Sequence, residues 1–358
     1  MKVSRICRTS TKVFKTRFTP NTRIPLSVYL SVTDRCPHAC EYCNIPNRAL
    51  REMTTEEIIS LVRQVKNTGA ERLQLVGGEP LLRKDIGTII NYAKDEGLYV
   101  TTSSTGFFPE KIEAIKNIDL IFLSFDGDER IHDAHKGRGT YARLMETIRI
   151  CKVLGVNFMT TTVITKLNKD TIDFILQTAR ANNFMTVFQP LYYTLNDYQG
   201  HFHLARVSDK FVLTNEEIRE VFKRLIIAKR DGAPLASSLP YLEYIVKWKD
   251  YQQIYSPHKD SHVKCWAGRL YCYIDTNGLL YPCGDSIGRV KGSDCLTDGF
   301  ASAFHKMNLN YGCQSCIVAC DLEKNLMFSL NLRTIINWLK VRTPDIGGCS
   351  RRRVGDID

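Results

Sequence analysis

Six stretches rich in β-branched and aromatic residues recur between residues 26 and 192, with helix-like stretches between them. This alternation does most to narrow the fold. The strand candidates are LSVYLSVTD (26–34), RLQLVGG (72–78), YVTTSST (99–105), LIFLSFD (120–126), VNFMTTTVI (156–164) and MTVFQPLY (185–192). Between them run segments such as TTEEIISLVRQVKN, with Thr54 or Thr55 as N-cap and apolar residues at 58, 59, 62 and 65. Six β-then-α units in series predict an α/β fold with a parallel sheet, open or curled into a partial barrel. In such folds the functional site is built where strands end and loops begin.

The flanks read differently. Residues 1–24 form a basic arm: Lys2, Arg5, Arg8, Lys12, Lys15, Arg17 and Arg23 are there with no acidic residue, so the remaining 334 residues carry only +4 of the net +11. The body is therefore not a polyanion binder, and no nucleic-acid partner is expected. After the core (25–213), residues 214–261 read as a helical connector opening at the capping box TNEE, with Pro234 and Pro240 interrupting. Residues 262–324 turn to Cys, Gly and Tyr with short strands, as expected of a small metal-stapled domain. NLMFSLNLRTIINWLK (325–340) reads as a terminal amphipathic helix, followed by a polar tail with RRR. No apolar run reaches the roughly 18 residues that span a bilayer, and the start lacks a signal-peptide core, so a cytoplasmic protein is expected.

Thirteen cysteines are too many for packing filler, and a disulfide framework belongs to small secreted domains. Metal or redox chemistry is the better reading. Cys7, Cys151 and Cys349 stand apart as spectators; the others cluster. CPHACEYC begins two residues after the first strand candidate and places Cys36, Cys40 and Cys43 at its carboxyl end. Three thiolates can hold a cubane iron–sulfur cluster and leave one iron open. A structural zinc site usually pairs CxxC with a second pair, and none lies nearby.

With Tyr42 before its last cysteine, this CxxxCxxC resembles the hallmark of the radical S-adenosylmethionine (SAM) superfamily. Further motifs fall at successive strand ends. GGEP (Gly77, Gly78, Glu79, Pro80) stands where the family meets the SAM amino group. TTSSTG carries Ser104, with Thr105 where relatives often have Asn, and LSFDG carries Ser124, which matches a position that touches SAM. The resemblance covers about 26 to 325. It implies a partial (β/α)6 TIM-like barrel, a [4Fe-4S] cluster with an open iron site, and SAM bound to that iron through its amino and carboxylate groups. It also implies reductive cleavage to methionine and a 5'-deoxyadenosyl radical that abstracts hydrogen from substrate. A reductant protein such as a flavodoxin or ferredoxin would supply the electron.

Cys265, Cys272 and Cys283 (the last in Gly278-x4-Cys), then Cys295, then CQSCIVAC with Cys313, Cys316 and Cys320 resemble the SPASM and twitch extensions. That implies one or two auxiliary Fe–S clusters, with Cys265, Cys272, Cys283, Cys313, Cys316 and Cys320 as ligands. The pattern departs from full SPASM in offering CxxxC alone after CxxC; a zinc ribbon is the competing reading. Asp285 lies near where some SPASM enzymes carry a proton-accepting aspartate, although an Asx-turn explains it as well. In HDAHKGRG, Arg138 is a candidate for the SAM carboxylate; Gln189 ends the sixth strand. The expected substrate is a peptide, a lipid or a sugar-type metabolite, and the competing function is a non-catalytic iron–sulfur electron carrier or scaffold. Val3, Ile6, Cys7, Val13, Phe14 and Phe18 fall on one helical face with basic residues around the other. Basic amphipathic ends of this kind fit peripheral contact with a membrane surface, or packing on the protein's own body.

Overall fold

Each of the six β-branched stretches forms a strand, and each strand pairs in parallel with the next. The computed structural model describes residues 3–19, 21–48, 50–193, 207–257, 263–310 and 312–342. The arm forms α1 (Val3–Phe18). The repeating part then runs β1 (Ser27–Thr33), α2 (Thr55–Asn67), β2 (Arg72–Gly77), α3 (Ile86–Asp95), β3 (Tyr99–Ser104), β4 (Leu120–Ser124), α4 (Glu129–Lys136), α5 (Thr140–Leu154), β5 (Phe158–Ile164), α6 (Ile172–Ala181) and β6 (Met185–Pro190). The remainder is α7 (Asn215–Arg230), α8 (Leu239–Lys247), β7 (Tyr255–Ser256), β8 (Tyr271–Ile274), β9 (Leu279–Tyr281), β10 (Ser293–Asp294), α9 (Cys295–Asp298), α10 (Phe300–Lys306), β11 (Ser315–Cys316), α11 (Ala319–Phe328) and α12 (Leu332–Arg342). Sheet order is β10-β9-β8-β1-β2-β3-β4-β5-β6, an α/β fold with a partial (β/α)6 barrel at its centre.

Local chemistry explains the elements. Thr54 caps α2 in a capping box with Glu57, and Thr214 does the same for α7 with Glu217. Ile58, Leu61, Val62 and Val65 fall on the buried face of α2 and pack with Val28, Leu30 and Val32 of β1. The alternate residues of the strands turn inward: Tyr29, Gln74, Ser103, Phe122, Thr161 and Val187 line the barrel interior. β1 is buried at all seven positions, as a parallel strand covered on both faces must be.

Three expectations meet a different arrangement. The cysteine-rich segment does not start a separate sheet: β8 pairs in parallel with β1, register Val28 to Cys272, so the barrel sheet runs on into it. The terminal helix is two helices, because α11 begins at Ala319 and the chain turns at Leu330, with φ at +62°, before α12. On α1 only part of the apolar face packs on the body: Val13 is buried, while Phe14 and Phe18 are 54% and 63% exposed. The RRR of the tail lies outside the described residues.

Candidate active site

The loop after β1 brings the three spaced cysteines to the carboxyl end of the sheet. Cys36, Cys40 and Cys43 are half-buried, and the Cys43 amide donates to the Cys40 carbonyl at 2.9 Å. Burial pushes the Cys36 thiol up to about 12, and Glu79, Cys40 and Cys43 press it in the same direction, so the three thiols feel one another. Both ends of the loop are pinned. Arg48 lies 2.6 Å from Asp275, in the β8–β9 turn, and 3.6 Å from Asp34, two residues before Cys36.

The next strand end meets this loop through backbone. Gly78 N donates to Thr33 O and Glu79 N to Arg35 O, both at 2.8 Å. No side chain fits there, since a Cβ on Gly77 would lie 2.1 Å from Thr33 O. Glu79 is fully buried and does not face the cavity. Its carboxylate accepts from Thr105 N and Oγ1, both at 2.7 Å, and from Leu81 N at 3.1 Å. The Thr105 hydroxyl, which donates to Glu79, also lies 3.1 Å from His38 Nε2. Burial first, then Lys136, lowers His38 to about 4. One hydrogen-bonded knot therefore ties the cysteine loop to the ends of β2 and β3. Pro80 is buried in the short helical turn that follows.

These strand ends open on a cavity of about 1430 Å³, lined by Tyr42, Cys43, Gly77, Gly78, Ser104 and Ser124 on the side of the cysteine loop. Gln189 of β6 also reaches it. The cavity runs on through the barrel to the amino ends of the strands, where Lys94, Asp119 and Asn157 line it. On the far side, α11 supplies Cys320, Asp321 and Lys324, and Asp285 joins them. Tyr29 donates to Asp321 at 3.1 Å and bonds Lys324. Burial raises Asp321 to about 6, with Asp285 adding to it and Lys324 opposing; burial also brings Lys324 down to about 8.

Arg138 does not line this cavity; it is exposed beyond the end of α4. The cation that lines it beside the cysteine loop is Lys136, missed by sequence reasoning although it stands two residues away. Its Nζ is 3.2 Å from Tyr42 Oη and 3.5 Å from the buried Asp126. Burial disfavours the Asp126 anion, yet Lys136, with His135 and His132, holds it below its ordinary value. The signal was Asp126 in LSFDG, a buried carboxylate that needs a partner.

A second, small cavity gathers Cys265, Cys283, Cys313 and Cys316 with Asp285, Arg289 and Asp321. Two residues expected among the metal ligands are not there. Cys272 alternates with Tyr271 and Tyr273 on β8, so it points to the opposite face and is buried beside Val28 with Cys295. Cys320 opens into the large cavity instead. Asp285 borders both cavities, as does Asp321. Four thiols around one enclosed space have the number and softness an iron–sulfur cluster needs, and the three half-buried thiols of the loop fit one with an open position.

The radical SAM superfamily profile matches residues 30–180. A PqqA peptide cyclase of Bradyrhizobium diazoefficiens is 30% identical over 163 residues; the match spans 43% of this chain and 43% of that protein's length. Streptococcus suis SuiB bound to its precursor peptide SuiA superposes with a TM-score of 0.62 at 16% identity, over 86% of this chain and 69% of that one. Native anSMEcpe with bound AdoMet and the Cp18Cys peptide gives 0.61 at 14% identity, over 87% and 99%. At these identities the two structures attest the fold.

Proposed function

We propose that this chain, whose residues 30–180 match the radical SAM superfamily profile, cleaves SAM reductively and uses the 5'-deoxyadenosyl radical to take a hydrogen atom from a peptide. One observation carries this: Cys43, Gly77, Gly78, Ser104 and Ser124, drawn from four different strand ends, all line one cavity. An electron carrier has no need of a cavity at its cluster loop. In this reading Cys36, Cys40 and Cys43 hold the cluster, which when bound supplies the electron that breaks the sulfonium bond of SAM. Gly77 and Gly78 let the backbone approach SAM, and Lys136 with Tyr42 braces the loop. Ser104 and Ser124 offer hydroxyls at the cavity wall; the Ser104 Oγ accepts from Gly106 N at 3.0 Å and bonds the Glu79 carboxylate, which leaves Ser124 as the freer donor for a ligand. α11 keeps water from the far wall. The peptide assignment rests on the peptides named with the relatives.

The test is anaerobic. The protein reconstituted with iron and sulfide is expected to bind SAM at about one per chain and to form 5'-deoxyadenosine when dithionite is added. An iron-loaded protein that neither binds nor cleaves SAM would be an electron carrier.

The four-thiol cavity is read as a single auxiliary cluster held by Cys265, Cys283, Cys313 and Cys316. Replacing Cys313 and Cys316 together by Ala should remove about four irons per chain, the content of one cubane. Replacing Cys272 by Ala should leave the iron content unchanged, since that thiol sits among apolar side chains. Equal iron loss in both variants would defeat the assignment.

A further inference from the structure

Ten large apolar side chains are exposed among the described residues, and five of them sit on the two terminal helices. Phe14 and Phe18 are one turn apart on α1 with ring centroids 5.0 Å apart. Leu332, Ile336 and Leu339, at 70%, 51% and 46% exposure, follow i, i+4, i+7 on α12. These helices do not fray from the body. α1 is held by Lys12 on Glu71 at 2.7 Å and by the burial of Val13. α12 is held by Trp338 on Glu323 at 2.9 Å and Asn337 on Ala236 O at 2.8 Å. Their apolar stripes thus face solvent on anchored helices.

α1 also reaches the turn that leads into α12. Arg17 of α1 lies 3.4 Å from the Phe328 carbonyl at the end of α11, and Val13 packs in one cluster with Phe328 and Leu330, the turn into α12. Both lie at the amino ends of the strands: α1 bonds Gly69 and Glu71 just before β2, and Val341 of α12 packs on Leu120 at the start of β4. The cysteine loop is at the other end of the sheet. Charge completes the pattern. α1 carries five Lys and Arg, α12 carries three, and neither carries an acidic residue; Lys15 and Lys340 are exposed beside the apolar stripes.

The geometry points to a docking face on which α1 and α12 together seat the amino end of the barrel on an anionic lipid bilayer. Arg8 and Lys12 share Glu71 and Arg333 pairs with Glu243, so the two helices keep a net positive charge; apolar side chains enter the interface while this excess charge, led by the exposed Lys15, meets lipid phosphates. This goes beyond the reading of the active site and does not depend on it. The cavity mouth by the cysteine loop then faces away from the bilayer.

Cosedimentation of the full chain with vesicles tests the face. Phosphatidylglycerol vesicles are expected to carry the protein down and phosphatidylcholine vesicles to leave it in solution, with binding weakened at 0.5 M salt, where charges are screened beyond about 4 Å. Phe14→Ser with Phe18→Ser, and separately Leu332→Ser with Ile336→Ser, should each weaken binding about tenfold, as should the exposed Lys15→Glu if a serine pair fails to fold by near-ultraviolet circular dichroism. Four results overturn the proposal: no binding to anionic vesicles, equal binding to both lipids, folded variants that bind like the native chain, or a vesicle-free dimer that the serine variants split, which would make a second copy the occupant.

Discussion

Alanine at Gly78 should weaken SAM binding at least about tenfold while the four-cysteine cavity keeps its iron. A Cβ built there lies 2.2 Å from Arg35 O and 2.6 Å from Asp34 O, and both are backbone atoms that no rotamer change can move. Relief requires the segment before Cys36 to shift, breaking the Gly78–Thr33 and Glu79–Arg35 hydrogen bonds. Overpacking of this kind costs about 1–3 kcal/mol where the surroundings yield, and here they do not readily. The strain falls between the cysteine loop and the turn that backs the SAM pocket, so affinity should fall at least about tenfold, the equivalent of 1.4 kcal/mol. Equilibrium dialysis with labelled SAM and iron analysis on the same sample measure both halves. SAM affinity within twofold of native would mean the turn lies outside the binding site.

How much of this could be read beforehand depends on which residues needed a partner from elsewhere. The parallel strands were legible because β-branched runs such as FMTTTVI and apolar spacings such as Ile58, Val62 and Val65 are local signals, although Leu61 and not Ile59 takes the fourth buried place on α2. The cysteine loop was legible because strand ends are where such folds keep their chemistry. Cys272 was not: its face follows from the register of β8 on β1, and a one-residue slip would have turned it toward the cavity in place of Tyr271 and Tyr273. Lys136 and Arg138 differ by two residues, but α4 ends at Lys136, so one side chain points at Tyr42 and the other leaves with the glycine turn. The break at Leu330 was invisible because the apolar spacing continues across it, and a leucine at φ +62° is an arrangement that only tertiary packing enforces. Glu79 was expected to meet an ammonium; Thr105, in the place where relatives often have Asn, takes its carboxylate instead.

Arg48→Met should be the most destabilising single change at the site, by about 3–5 kcal/mol, because it removes one cation from two buried carboxylates. The side chains of Asp34 and Asp275 are only 6% and 2% exposed. Burial already raises Asp34 above its ordinary value, opposed by Thr276 and by Arg48 itself. Methionine matches the length of the arginine stem, so the loss is chiefly of charge pairing and hydrogen bonds rather than volume. The guanidinium joins the start of the cysteine loop, its end and the β8–β9 turn, so its removal frees both anchors of Cys36–Cys43 at once. Denaturant unfolding of the apo chain measures the loss directly. A second substitution separates the causes: Asp275→Asn in the Arg48→Met background deletes one of the stranded charges and should restore roughly half of the lost stability, whereas a defect of packing would only deepen. An Arg48→Met protein within about 1 kcal/mol of native would show that water reaches these carboxylates, and that the loop is held by the Glu79–Thr105–His38 knot alone.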